Sequence, residues 1–126
     1  ANCLLEIVNQ SNLNGVIVTS DLLANYIRTN FKNLTIISSQ VKPSVEVGLG
    51  LNKDTVNYYN DLFDLYDIVV VNPDKINDIS FLEKIKYKDR VEFIANHRCI
   101  PNCPNCKKHY ELQMIFQNKM ELSQIY

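Results

Sequence analysis

The chain has 126 residues, of which 46% are hydrophobic, and its 13 basic and 14 acidic side chains leave a net charge of −1. That size and apolar content suffice for one domain with a core of its own, expected to span residues 1–126 and to stand alone or form a piece of a longer barrel protein. The charge balance leaves no electrostatic footprint for nucleic acid, no apolar run reaches the roughly 20 residues of a membrane span, and no basic-then-apolar leader opens the chain, so a cytoplasmic protein is expected.

Asn2 to Gln10 reads as a short helix with Leu4, Leu5 and Val8 on its apolar face and Cys3 in its first turn. After a turn at Asn12 to Gly15, the β-branched run Val16-Ile17-Val18-Thr19 reads as a strand. Ser20 or Asp21 caps the next helix, whose Leu22, Leu23, Tyr26, Ile27 and Phe31 recur at helical spacing. The unit then repeats. Leu34 to Ser38 is a second strand, and an irregular connection through Pro43, Gly48 and Gly50 follows. Asp54 is expected to cap a helix with Val56, Tyr59, Leu62, Phe63 and Tyr66 on one face. Asp67 to Val71 is a third strand, and Ile79, Leu82 and Ile85 mark a short crossover helix. Val91 to Ala95 is a fourth strand, and Lys108 to Asn118 suggests a last helix.

Near-continuous apolar runs alternating with amphipathic helices predict an α/β fold of βα units, either about half a TIM-like barrel or a small open parallel sheet. A half barrel leaves two strand edges unpaired, so the partner expected is a second copy or the remainder of a longer chain. Ligand chemistry in such folds gathers where strands end. The segments Thr19-Ser20-Asp21, Ser38-Ser39-Gln40, Asn72-Pro73-Asp74 and Asn96-His97-Arg98 start those loops, and all are polar. Helix capping and loop solvation account for such residues taken singly. Ser39, Asn72, Asn96 and His97 are the substrate-facing candidates if the loops share a pocket.

The chemistry-bearing stretch is 96–109. It holds Cys99, Cys103 and Cys106, a Cys-x3-Cys-x2-Cys array, with His109 three positions later and Pro101 and Pro104 restricting the loop. Thiolates are soft ligands, and in a reducing compartment clustered cysteines point to a metal or redox group more than to a disulfide framework. Two centres fit. A 4Fe-4S cluster takes the three cysteines with Cys3 as a fourth ligand, or with one iron left to a non-cysteine ligand. A structural zinc site takes the three cysteines with His109. The remaining alternatives are a local disulfide with a spare thiol, or reduced cysteines that bind nothing; Cys3 otherwise reads as a small apolar residue and His109 as a surface histidine.

The cysteine spacing resembles that of radical S-adenosylmethionine enzymes, although Asn105 stands where those carry an aromatic residue. A broader resemblance runs from Leu65 to Tyr110. Its elements are Tyr66-Asp67-Ile68-Val69-Val70-Val71-Asn72-Pro73-Asp74, Asn77-Asp78, Val91-Glu92-Phe93-Ile94-Ala95-Asn96, then Cys99, Cys103-Pro104 and His109-Tyr110. This pattern resembles the U32 peptidase-like family. The resemblance implies a TIM-barrel-like fold and a 4Fe-4S cluster held by Cys99, Cys103 and Cys106, as in relatives that serve hydroxylation of tRNA or quinone precursors. Other relatives are described as collagenase-like proteases, but this chain shows no nucleophile-base pair or metalloprotease helix.

Overall fold

The computed structural model describes residues 2–43 and 55–95, together with 105, 108, 109, 111, 112, 115 and 116. In chain order the elements are α1 (Asn2–Val8), β1 (Gly15–Val18), α2 (Asp21–Asn30), β2 (Thr35–Ser38), α3 (Val56–Leu62), β3 (Ile68–Val70), α4 (Ile79–Glu83) and β4 (Val91–Glu92). Short 3-10 turns at Pro73–Lys75 and Lys88–Arg90 flank α4. The strands form one parallel sheet in the order β1-β2-β3-β4. The α/β reading holds in this form.

Sequential order has a geometric consequence. Right-handed crossovers that always step the same way place their helices on the same face of the sheet. Burial agrees with this. Val18, Ile36, Val69 and Val71 join Ala24 and Ile27 of α2, Tyr58, Tyr59 and Leu62 of α3, and Phe81 of α4 in one core. The alternate strand positions, Ile17, Ile37, Ile68, Val70 and Glu92, point to the opposite face, away from the helices that build this core. Ile17 is 70% exposed there.

Local chemistry explains where the elements start. Ser20 caps α2, its hydroxyl accepting from the Leu23 N–H. Thr55, rather than the expected Asp54, is the cap of α3; its hydroxyl accepts from the Tyr58 N–H at 3.3 Å. Asp67 fixes the start of the β2–β3 pair: its carboxylate accepts from the Ile36 N–H at 2.8 Å, and its own N–H donates to the Ile36 carbonyl at 2.8 Å. Arg90 ties the end of α3 to β3, donating to the carbonyls of Asp67, Phe63 and Tyr66 while lying against the rings of Phe63 and Tyr87.

Three expectations change. β4 pairs only through Val91 and Glu92 instead of running to Ala95, because it has one neighbour and its next residues turn into a hollow described below. In α1, Leu5 and Val8 pack on the core while Leu4 is exposed. The connection after β2 begins with a helical turn at 41–43, and its remainder, 44–54, lies outside the described residues. Of the expected last helix, residues 108, 109, 111, 112, 115 and 116 are helical and exposed.

Candidate functional site at the strand ends

The described residues form concave features on both sides of the sheet. On the side away from the helix-packed core, a cavity of about 240 Å³ is lined by Ile17 from β1, Val70 from β3, Glu92 from β4, the segment Ser39-Gln40-Val41 after β2, and Phe93-Ile94 after β4. A flat sheet would hold β1 and β4 about 14 Å apart. One small cavity touching both means that this face is hollowed at its C-terminal end, with Phe93 and Ile94 closing the far side. Val70 is 6% exposed although it lies outside the helix-side core, so this hollow is where it is covered.

Most of the lining is apolar. Its polar groups are Ser39, Gln40 and the carboxylate of Glu92, which pairs in register with Val70. Ser39 is held locally: its N–H donates to the Val18 carbonyl at 3.0 Å and its hydroxyl accepts from the Val41 N–H at 3.3 Å.

On the helix side, a more open cavity of about 540 Å³ lies between α2 and α3, reaching from Asp21 and Thr55 to Leu65 and Tyr66. Lys42 forms part of its lining. The lysine is 3% exposed, donates to Asp21 Oδ1 at 2.9 Å and to the Thr19 carbonyl at 3.3 Å, and lies 5.9 Å from the Tyr66 ring centre. Tyr66 also donates to Asp21 Oδ1, at 2.8 Å. These contacts pin the turn after β2 to the start of α2. They are a fastening within the fold.

The residues singled out from the sequence fall in different places. Ser39 lines the hollow. Asn72 does not: it starts the Pro73–Lys75 turn, its side chain accepting from the Asp74 N–H at 3.1 Å while its N–H donates to the Tyr59 hydroxyl at 3.1 Å. Its role is the capping one. Cys3 is an exposed free thiol on α1. That helix lies along α2 on the helix side, since Asn2 accepts from the Tyr26 hydroxyl and Asn33 after α2 bonds Asn9. His109 is exposed at the start of a helical turn, its N–H donating to the Asn105 carbonyl at 3.0 Å. Asn96, His97, Cys99, Cys103 and Cys106 lie outside the described residues. Among the described residues no three His, Cys, Asp or Glu side chains gather closely enough to hold a metal ion, and no helix is long and apolar enough to cross a membrane.

Glu92, Val41 and Phe93 were not among the site candidates read from the sequence, and Gln40 entered only as part of a polar loop start. Glu92 had left a trace there: it is the one charged residue in the apolar run Val91 to Ala95, in the phase that faces away from the helices. In comparisons with known protein families, curated proteins and solved structures, nothing matches this chain.

Proposed function

We propose that this chain is a barrel-like α/β module of U32 peptidase-like type that carries a cysteine-bound metal centre, a 4Fe-4S cluster, at the C-terminal rim of its sheet. The observation behind the reading is the path of the chain. β4 ends at that rim, Phe93 and Ile94 line the hollow, and Asn96 to His109 with its three cysteines follows immediately. Cys99, Cys103 and Cys106 would hold the centre. Three thiolates match the donor chemistry of a cluster whose fourth iron takes a non-cysteine ligand. Such a cluster supplies one-electron chemistry or Lewis acidity, while the hollow orients an organic group beside it.

A second reading keeps the site and changes the metal. His109 follows Cys106 by three residues in sequence and is itself helical, whereas Cys3 sits on a helix fastened to α2. That favours His109 over Cys3 as a fourth ligand, and three cysteines with one histidine form a closed structural zinc set.

The sheet order and the hollowed face support the barrel-like reading. Both outer strands, β1 and β4, lack a neighbour on one side among the described strands, and exposed Ile17 and Phe93 sit there. Further strands from a second copy or from additional chain would complete the barrel.

Replacing Cys103 by Ser tests the site. The expected result is loss of most bound metal, with loss of colour for a cluster, or a fall in melting temperature without any colour change for zinc. Unchanged metal content and unchanged stability would remove the reading.

A further inference from the structure

The hollow on the sheet face away from the helix-packed core has a shape and a charge that specify a ligand more closely than the cysteine loop does. At about 240 Å³ it is smaller than the roughly 300 Å³ at which pockets for drug-sized ligands begin, so it suits a compact organic group. Ile17, Val41, Val70 and Phe93 give it apolar walls, and burial of apolar surface against them is the main source of affinity available. Among the described residues that line it, Glu92 is the one ionisable side chain, with Ser39 and Gln40 adding polar groups that carry no charge.

We propose that this hollow binds a small organic cation, an ammonium or amidinium group carried on an apolar body about the size of a phenethyl group. The apolar body lies over Val70 between Ile17 and Phe93, and the cationic end meets the Glu92 carboxylate. Glu92 is solvent-exposed in the free chain, so its charge is hydrated until the ligand arrives. A carboxylate or phosphate ligand would instead meet Glu92 as a like charge. The proposal rests on reading this rim as the functional end of the sheet, and it stands whether or not a metal is bound.

Phenethylamine is the probe, compared with phenethyl alcohol and hydrocinnamate, which keep the body and change the head to neutral or anionic. Binding is read as saturable shifts of the Ile17 and Ile94 methyl resonances, on protein whose metal content is measured in the same sample so that failure of the metal reading is seen separately. The amine is expected to bind most tightly and the acid most weakly. Glu92→Gln should weaken the amine about fivefold, as expected for a partly exposed ion pair, and leave the alcohol unchanged. Ile17→Trp, at a position exposed enough to accept the larger ring, should fill the mouth and abolish binding of both. Shifts that do not saturate, or equal binding of amine and alcohol untouched by Glu92→Gln, would overturn the proposal.

Discussion

Arg90 and Asp78 show how single side chains hold the segment that leads into β4. The Arg90 guanidinium donates Nε to the Asp67 carbonyl at 2.7 Å and Nη2 to the carbonyls of Phe63 and Tyr66 at 3.2 and 2.6 Å. A lysine has the charge but neither the planar fork nor the stacking surface. Arg90→Lys should therefore cost about 2 kcal/mol of stability, measured by denaturant unfolding. A loss below about 0.5 kcal/mol, the ordinary scatter of surface changes, would show that these bonds contribute little. Asp78 caps α4: its carboxylate accepts from the Phe81 N–H at 3.0 Å and from the Ser80 hydroxyl at 2.9 Å. The Phe81 bond first, then the Ser80 bond, with Lys75 and Lys84 adding attraction, lower its pKa below the ordinary 3.8. A lowered carboxylate contributes stability above its unfolded value, and that contribution disappears as pH falls through the lowered value. The Phe81 amide resonance should therefore titrate at a pH below 3.8, and Asp78→Ala should remove that titration. An unshifted midpoint would contradict the cap.

Among the elements, the most informative join is between the turn after β2 and the start of α2. Lys42 is buried, whereas the side chain of its partner Asp21 is 55% exposed. Asp21→Asn keeps a cation in the interior and removes the carboxylate 2.9 Å from it, while Lys42→Met leaves a carboxylate that water reaches. The first should be the more destabilising, by about 2 kcal/mol in unfolding measurements, and the reverse order would show that the pair is not the fastening. This join was hard to read from sequence. Periodicity located the four strands and the helices between them because each buries one consistent phase, and Ser20 was legible as a cap because its side chain acts within its own turn. Lys42 acts across 21 residues of chain, on Asp21, and nothing local marks it. The placement of the α3 cap at Thr55 instead of Asp54 has a simpler cause: both residue types cap helices, and neighbouring positions compete. The exposure of Leu4, Leu22 and Leu23 was likewise illegible, since a pattern shows which face is apolar but not whether anything lies against it.

At the scale of the whole molecule, the strand order β1-β2-β3-β4 puts α2, α3 and α4 on one face, and a hollow lies on the other. The sequence carried the parallel sheet through its alternating units, yet the hollow depends on curvature and on where Phe93 and Ile94 turn, which no local pattern encodes. Of the residues first read as facing a substrate, Ser39 reaches the hollow and Asn72 is used in a turn. Glu92 enters because strand pairing fixes its face. The central claim is that the rim beside this hollow bears a metal centre on Cys99, Cys103 and Cys106. Its most direct test is iron, zinc and sulfide analysis of protein purified without oxygen, with the visible spectrum taken on the same sample. The account predicts iron and sulfide in near-equal amounts and a broad absorbance that bleaches on reduction. Zinc without colour would transfer the site to the structural reading, and the absence of any metal, even after reconstitution, would contradict the claim.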